Sequence, residues 1–301
     1  MEIVKKMVKE ENLCLNCLGR SFAGLLSGLT NEERGRSLII TLSMSILAEQ
    51  LRRESPQREE LLREIAKKYE FRPLMNFLRD RGKTLGKVRS IKTCQICRGV
   101  FSRLNEISEK IVENLMDYDY ETFMVGVSVP VEVEERDDEI KSKYGLSFSE
   151  SIRNEISREI GKKIRELTGK AFSPTPELII RVNPYTEKIQ ISSKPVAYKG
   201  LVELKRKVKI FSSICLNCRG KGCKKCKYTG KKPGSDVEYV LGSLLLKKTG
   251  GKKWHFSIRK LSEEAFEFKI SIKQPKIRRI NFEEIKLNEY YSFRVKEIFI
   301  A

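Results

Sequence analysis

Eight cysteines carry the most specific chemistry in this sequence, and all of them fall into Cys-x-x-Cys pairs. A two-residue gap lets a tight turn direct two thiolates at one metal ion about 2.3 Å away, and two such pairs complete a closed tetrahedron. Redox pairs and intracellular disulfides are the alternatives. Four pairs without an unpaired cysteine favour structural zinc, and iron is the other metal that such soft ligands accept. The predicted ligands are Cys14, Cys17, Cys94, Cys97, Cys215, Cys218, Cys223 and Cys226.

The spacing of these pairs predicts two different kinds of site. Four residues separate Cys218 from Cys223, and they include Gly220 and Gly222, which allow the backbone turns that such closeness demands. This cluster should be a local loop. The two earlier pairs must then share an ion across 76 intervening residues, so that their site would link the two ends of a helical domain. Four sulfur ligands leave no open position for water, and both sites are therefore predicted to be structural.

The charge of the chain is unevenly distributed. Sixty basic and forty acidic residues give +20, and residues 199–301 hold 26 of the basic but only 10 of the acidic residues. Eight zinc-bound thiolates would lower the total to +16. Segregated positive charge favours a nucleic-acid partner over a heat-adapted surface. The predicted phosphate contacts are Lys199, Lys205, Arg206, Lys207, Arg219, Lys221, Lys224, Lys225 and Lys227, with Trp254 and His255 available for base stacking.

No segment of the sequence predicts an association with membranes. No apolar run reaches the ~18 residues of a membrane span, and the amphipathic start lacks the apolar stretch of a signal peptide. No basic amphipathic helix with an aromatic face occurs. The expected location is the cytoplasm, without a membrane partner.

The elements that must position these residues predict an α+β fold. Residues 1–118 read as a helical zinc-binding domain, with Thr30 and Glu33 in capping-box spacing and Ser55 followed by Pro56 at a second helix start. Residues 213–232 form the local zinc loop. In residues 233–301 we expect a short helix capped by Ser235 and strands at 266–272 and 293–300.

Residues 119–212 read as an α/β region. A strand-like stretch ends at Pro130, and the acidic run that follows it predicts a turn or boundary. The next helix carries an apolar stripe and ends at Gly169. Two strands around Asn183, Pro184 and Tyr185 then predict a hairpin. The residues of the helical stripe are Ile152, Ile156, Ile160, Ile164 and Leu167.

Four segments in this order resemble the archaeal tRNA pseudouridine 54/55 synthases, which are THUMP-containing enzymes of the tRNA T-loop. They are "NLCLNCLGRSFAGLLSGLTNEERG", "TCQICRGVF", "VGVSVPVEVEERDDEI" with the helix after it, and "CLNCRGKGCKKCKYTGKKPGSDVEYVL". The resemblance implies that the first four cysteines share one zinc and that residues 119–212 form a THUMP-like region that holds tRNA. The last segment by itself also resembles the cysteine-rich repeats of Hsp40-type chaperones.

The sequence departs from this family where the reaction would occur. Uridine isomerisation uses one aspartate acting on an extruded nucleotide. The family carries it in a Gly-Arg-Glu-Asp segment shortly before Arg-Pro-Phe. Here His255 and Phe266 match the two flanks, while the central glycine and aspartate are missing and no aspartate follows Asp236. Glu263 and Glu264 would hold a carboxylate one methylene too far out, and His255, the only histidine, is expected to pack or to stack on RNA.

Two smaller departures precede the second zinc loop. Gly200, Lys205 and Arg206 match the family, but Val202 replaces its aromatic residue and "KIFSSI" replaces a Pro-Gln-Thr segment. The resemblance runs from about residue 12 to residue 300. The sequence stops near the strand around Val295, before the rest of the family's catalytic core, and a shortened catalytic domain is therefore expected in residues 233–301.

The sequence predicts a tRNA-binding member of this family that is catalytically deficient by itself. It would bind tRNA or deliver it to another modifying enzyme or ribonucleoprotein. One alternative is an active synthase that uses a relocated carboxylate or a core supplied by a partner. The other is a zinc-containing, protein-binding chaperone of the Hsp40 kind.

Overall fold

The structure is a computed structural model that describes residues 1–83, 93–283, 285 and 293–301. The described chain forms two compact units. The first contains residues 1–110, 125–163 and 182–189, and the second contains residues 111–124, 164–181 and 190–301. Among the described residues, no helix is long and apolar enough to cross a membrane.

Helices make up the N-terminal part of the chain, as the sequence patterns predict. They are α1 (Glu2–Glu10), α2 (Leu15–Arg20), α3 (Asn31–Arg52), α4 (Pro56–Lys68), α5 (Arg72–Asp80) and α6 (Leu104–Leu115). The capping box at the start of α3 is confirmed, since the Thr30 side chain accepts from the Glu33 amide and the Glu33 carboxylate accepts from the Thr30 amide. Ser55 occupies the cap position of α4, but its side chain makes no capping hydrogen bond.

Helices α2 and α3 approach each other backbone to backbone. A Cβ atom on Gly19 would lie 1.8 Å from the Asn31 carbonyl oxygen, and one on Gly35 would lie 2.1 Å from the Leu15 carbonyl oxygen. Any side chain at either glycine would force the two helices apart. Because α2 begins directly after Cys14 and contains Cys17, this close packing fixes the first cysteine pair on the long helix α3.

Residues 122–193, within the predicted α/β region 119–212, form one sheet, whereas residues 196–204 of that region belong to a second sheet. The strands of the first sheet are β1 (Thr122–Val127), β2 (Ala171–Phe172), β3 (Leu178–Asn183) and β4 (Lys188–Ser193), in the sheet order β2-β1-β3-β4. The predicted hairpin is confirmed as β3 and β4. Helix α8 (Ile152–Thr168) ends before Gly169, which has a φ of +70°, as predicted.

Two predictions in this segment are wrong. The acidic run after Pro130 is not a turn but helix α7 (Val131–Tyr144). Pro130 fixes the backbone before the first turn, acidic side chains there favour the positive end of the helix dipole, and Val133, Ile140 and Tyr144 are buried. Leu167 does not share the buried stripe of α8, since it is 44% exposed while the four isoleucines are buried.

The second unit contains an antiparallel sheet of four strands with the order β6-β7-β5-β8. These strands are β5 (Val196–Leu204), β6 (Lys253–Lys260), β7 (Ala265–Lys273) and β8 (Phe293–Ile300). Helix α9 (Val237–Thr249) packs against β6 and β7, and its apolar side chains share one core with the sheet. Gly200 is required in β5, because a Cβ atom there would lie 2.1 Å from the Glu297 carbonyl oxygen.

The two strands predicted in this unit are confirmed as β7 and β8. Strand β6 was not predicted, because its charged residues obscure the alternation of Trp254, Phe256 and Ile258. The predicted cap of α9 is wrong by one residue: Asp236, rather than Ser235, accepts a hydrogen bond from the Tyr239 amide. The Asp236 carboxylate also accepts a hydrogen bond from the Ser212 hydroxyl, which helps to hold it at the cap position.

Candidate metal centres and nucleic-acid interface

Helix α2 and the turn at Cys94 to Cys97 bring the first four cysteines together. Their sulfur atoms all lie within 4.8 Å of one another, and the Cys14 and Cys97 sulfurs are 3.6 Å apart. A tetrahedron of sulfurs around an ion at about 2.3 Å has edges of about 3.8 Å, whereas a disulfide bond is about 2.05 Å long. The cluster therefore fits one tetrahedral metal ion. The Cys14 amide donates to the Cys94 sulfur at 3.4 Å, a bond that favours a thiolate.

The pKa values of these thiols show why the cluster suits a cation. Burial raises the pKa of Cys17 well above its ordinary value. Hydrogen bonds from the thiols of Cys14, Cys17 and Cys97 lower the pKa of Cys94. Burial and the repulsion between neighbouring sulfurs therefore oppose ionisation of all four thiols together. A divalent cation at their centre would stabilise all four as thiolates, because its charge outweighs the repulsion between them.

Residues outside the helices hold the second pair of this site in place. The Tyr185 hydroxyl, in the turn of the β3–β4 hairpin, donates to the Cys97 carbonyl oxygen at 3.2 Å. Arg103 and Lys110 form ion pairs with Glu187 of the same turn. The hairpin turn is therefore anchored beside the metal ligands of the first unit. Sequence patterns placed this hairpin but gave no signal of its contact with Cys97.

The second four-cysteine site is the local loop that the spacing predicts. Its sulfurs also lie within 4.8 Å of one another, with 3.9 Å between Cys215 and Cys223 and 3.8 Å between Cys218 and Cys226. Gly222 has a φ of +101°, and a Cβ atom on it would lie 2.6 Å from the Tyr228 carbonyl oxygen. The predicted need for glycine inside the loop is therefore confirmed.

Backbone amides favour thiolates in this loop as well. The amides of Gly222, Cys223 and Gly230 donate to cysteine sulfurs at 3.2 to 3.3 Å. Burial opposes ionisation of Cys226, but the amides of Cys223 and Gly230 lower its pKa to about 6. All four residues of each cluster thus have a geometry and a chemistry that fit a metal ion.

Basic side chains surround the second site. Arg219, Lys221, Lys224, Lys225 and Lys227 are all exposed, as are Lys205, Arg206 and Lys207 directly after β5. The loop is tied to helix α9 by the buried Glu238, which pairs with Lys231 at 3.0 Å and accepts from the Ser212 amide at 2.8 Å. These contacts of Glu238 hold the charged loop against helix α9.

The outer face of the four-stranded sheet also carries basic residues. Lys199 lies on that face, and its neighbours in register are Lys269 of β7 and Phe299 of β8. Phe299 is 48% exposed, an aromatic ring open to solvent beside lysines. Sequence reasoning missed Lys269 and Phe299. The alternation within β7 and β8 was the available signal, since it places every second residue opposite the apolar core.

The two predicted stacking residues have different environments. His255 is exposed on the outer face of the edge strand β6, opposite Ser271. Trp254 points to the other face, is only 9% exposed, and donates its indole N–H to Glu238 at 3.3 Å. Its ring packs edge-on against Tyr239 of α9. Trp254 is therefore a core residue of this unit, and only His255 of the two is open to a base.

The turn between β6 and β7 occupies the position where the resembled family carries its aspartate. It spans Leu261 to Glu264, and Ser262 holds it by accepting from the amides of Glu264 and Ala265. Glu263 and Glu264 are both exposed. Neither carboxylate lies in a desolvated cleft of the described residues.

Comparison with known proteins gives one domain match and several relatives. Residues 107–183 match the archaeal Pus10 THUMP domain. The chain is 32% identical to the tRNA pseudouridine synthase Pus10 of Methanocaldococcus jannaschii, over 95% of this chain and 63% of that protein. It is 39% identical to the Pus10 of Thermofilum pendens over 63% of this chain and 41% of that protein. The Methanopyrus kandleri Pus10 is 29% identical over 80% of this chain and 53% of that protein.

An α+β chain with a THUMP domain and two four-cysteine clusters defines a THUMP-containing protein equipped to bind two metal ions. The resemblance that its motifs carry is confirmed. The chain is homologous to the archaeal Pus10 proteins, and it spans 63% or less of the length of the three relatives described here.

Proposed function

We propose that this chain binds tRNA and does not by itself convert uridine to pseudouridine. Its role would be to hold tRNA or to deliver it to another modifying enzyme or ribonucleoprotein in the cytoplasm. The observation that carries the tRNA assignment is the THUMP match at residues 107–183 within a chain that resembles tRNA pseudouridine synthases over most of its length.

The proposed binding surface is the basic part of the second unit. It combines the exposed lysines and arginines of the zinc loop and of residues 205–207 with Lys199 and His255 on the outer face of the sheet. Lysines next to an exposed aromatic ring suit a single-stranded or looped RNA, because cations meet phosphates while the ring stacks on a base. Trp254 is left out of this surface because it is buried.

The turn between β6 and β7 supports the proposed lack of activity. Pseudouridine formation needs a carboxylate placed accurately at an extruded uridine, and a misplacement of ~1 Å can cost about 100-fold in rate. The only carboxylates of this turn belong to the exposed Glu263 and Glu264. Both flanks that resemble the catalytic segment are present as strands, so the difference lies in the turn itself.

We further propose that both clusters bind Zn²⁺ and that residues 1–118, 119–212, 213–232 and 233–301 act as separate functional regions. Four thiolates favour zinc or iron over harder ions. Metal analysis of protein purified without added metal tests this directly, with two zinc ions per chain as the expected result. A red-brown protein with iron in place of zinc would contradict the choice of metal.

Incubation of the pure protein with unmodified tRNA transcript, followed by chemical mapping of pseudouridine, tests the absence of activity. We expect no product, while the Methanocaldococcus jannaschii relative serves as the positive control. If product forms, Glu263→Gln and Glu264→Gln variants test whether one of these two carboxylates is responsible for the activity. Product that either variant abolishes would establish the active-synthase alternative.

Salt-titrated tRNA binding tests the proposed interface against the chaperone alternative. Each phosphate contact releases counterions, so affinity should fall steeply as salt is added. A chaperone groove would bind unfolded polypeptide with little dependence on salt. Suppression of aggregation of a denatured client protein, without measurable tRNA binding, would replace the proposed function with the chaperone one.

A further inference from the structure

A second surface of the molecule carries a feature that none of the predicted site residues explains. A cavity of about 540 Å³ lies in the first unit, lined by the loop before α3, the first turns of that helix, the loop at Phe148 to Glu150, and α8. Neither four-cysteine cluster contributes to it. Three basic side chains line it: Arg34, Arg158 and Lys162.

Arg34 is the unusual member of this group because it is a buried cation without a carboxylate partner. It is only 7% exposed. Its guanidinium donates to the Asn31 side-chain oxygen at 2.6 Å and to the Leu26 carbonyl oxygen, and its Nε has no hydrogen-bond partner. Among the residues that the structure describes, none forms an ion pair with it. By contrast, Arg158 pairs with Glu150 and Glu159, and Lys162 pairs with Glu159.

Such a group is costly to bury unless something outside the protein completes its interactions. Buried charges in proteins are paired or bind ions, and buried donors without an acceptor are rare. Glu150, the one acidic residue that lines the cavity, is already occupied by Arg158 and by the Asn31 side chain. Arg34 therefore lines the cavity with a buried positive charge that no carboxylate of the described residues neutralises.

The backbone around Arg34 suits the same kind of ligand. Helix α3 begins at the cavity, and the amide of Asn31, which lines it, has no acceptor within the helix. Gly28 has a φ of +86° and open space where a Cβ atom would lie, so a ligand can approach the chain closely there. The hydroxyl of Ser27 lies on the same loop.

We propose that this cavity binds a phosphate group through Arg34, Ser27 and the first turn of α3. A guanidinium, a hydroxyl and a helix amide are the kinds of donor that bind the oxygens of a phosphate group, and all three line this cavity. Exposed Leu26 and Leu29 on the rim offer an apolar surface to the sugar or base next to it. The assignment of this phosphate to an RNA chain rests on the proposed tRNA binding, whereas the anion site itself does not.

Inorganic phosphate is the first probe, at constant ionic strength with chloride as the replaced ion. Backbone amide NMR of the whole protein should show saturable shifts confined to residues 24–34, and Arg34→Gln should abolish them. Arg36→Gln is the matched control, because Arg36 lies exposed on the same helix and pairs with Glu32. Shifts spread over the basic C-terminal surface, or unchanged shifts in Arg34→Gln, would overturn the proposal. If Arg34→Gln fails to fold, the location of the phosphate-induced shifts in the wild-type protein still tests the proposal.

Binding of tRNA is the second probe. We expect Arg34→Gln to weaken binding about tenfold, as for a charge-assisted contact, while Arg36→Gln stays within about twofold. Arg34→Lys keeps the charge but loses the forked geometry, and it should remain weakened. Short RNAs with and without a 5′ phosphate separate the sources: equal affinity supports an internal phosphodiester, and loss with the 5′ phosphate supports a chain end.

The two proposals fail in distinguishable ways. If the wild-type protein binds no tRNA but inorganic phosphate shifts residues 24–34, the proposed function is wrong and the anion site stands. If tRNA binds equally well to Arg34→Gln and phosphate shifts nothing near Arg34, the anion site is wrong and the basic C-terminal surface carries the binding.

Discussion

Single residues in the first unit are fixed by buried charges rather than by apolar packing alone. Arg20, which follows the first cysteine pair in α2, is only 1% exposed and pairs with Asp137 at 2.6 Å and Glu155 at 3.1 Å. The cavity residue Arg34 is also buried, but it forms no ion pair with a carboxylate of the described residues. Arg20 therefore has a structural role, whereas Arg34 is the residue that we propose to bind an anion.

Replacing Arg20 with alanine should destabilise the protein strongly. The change leaves the buried Glu155 without a counter-charge, although Asp137 keeps its pair with Lys141. Removing one partner of a buried ion pair costs about 3–5 kcal/mol of unfolding free energy. Urea denaturation measures it, with Arg36→Ala as the exposed control at about 0.5 kcal/mol or less. If Arg20→Ala lowers the free energy of unfolding by less than about 1 kcal/mol, the ion pairs of Arg20 with Asp137 and Glu155 do not have this structural role.

Glu11 should make the stability of the protein depend on acidic pH. Burial alone would raise the pKa of Glu11, but hydrogen bonds from Lys143, Gln95 and Tyr144 lower it below its ordinary value of 4.5. A carboxyl whose pKa is lower in the folded state contributes stability above its unfolded pKa, and that contribution is lost as the pH falls through the folded pKa.

The urea midpoint of the wild-type protein should therefore drop more steeply between about pH 5 and pH 3 than that of Glu11→Gln. The variant starts from a lower stability at pH 7 because it has lost its charged hydrogen bonds. Parallel pH profiles for the two proteins would show that Glu11 does not contribute in this way.

At the scale of elements, the two metal sites differ in what each one holds together. The first joins helix α2 to a turn 76 residues further along the chain, beside the hairpin turn that contacts Cys97. The second closes a local loop. The neighbouring helix α9 and its sheet already share a hydrophobic core to which this loop does not contribute. Loss of the metal should therefore have unequal effects on the fold.

Cys94→Ser and Cys218→Ser test this difference. Each should lower the metal content from two ions to one per chain. Since the binding energy of a structural metal is folding energy for the segments it joins, Cys94→Ser should also reduce helical circular dichroism and the melting temperature. Cys218→Ser should leave both nearly unchanged, because α9 and its sheet pack without the loop. Equal losses in the two variants would show that the second site also supports the core.

At the scale of the whole molecule, the uneven distribution of charge allows a test of the proposed RNA interface. Residues 199–301 hold 26 basic and 10 acidic residues, and those of the zinc loop are exposed. Contacts to phosphates contribute to the salt dependence of binding in proportion to their number, with a slope of about 0.7 to 0.9 for each. The slope of affinity against salt therefore counts the contacts that a group of lysines makes.

A variant with glutamine at Lys221, Lys224, Lys225 and Lys227 should bind tRNA more weakly and with a salt slope lower by about two to four. The matched control replaces four exposed basic residues of the helical region, Lys6, Lys9, Arg52 and Arg53, which removes the same charge. Its slope should stay near that of the wild type. An equal reduction in both variants would mean that only the total charge matters, and the proposed interface would be wrong.

The sequence by itself predicted the two four-cysteine clusters, the likeness to tRNA pseudouridine synthases, and most helices and strands. Cys-x-x-Cys spacing limits where sulfur atoms can point, and capping residues act within a few positions of the chain. The capping box at Thr30 and the end of α8 before Gly169 followed from such local rules. The acidic helix α7 did not, because its buried residues are few and widely spaced and become apolar contacts only after folding.

Only the tertiary structure decided which side of each element meets solvent and which meets a core. It placed neighbouring Trp254 and His255 on opposite faces of β6, and it joined Lys199, Lys269 and Phe299 from three strands on one open face. It also buried Arg34 beside a cavity and gave it no carboxylate partner among the described residues. These are relations between residues distant in sequence, and they exist only when apolar burial has fixed the packing of the elements.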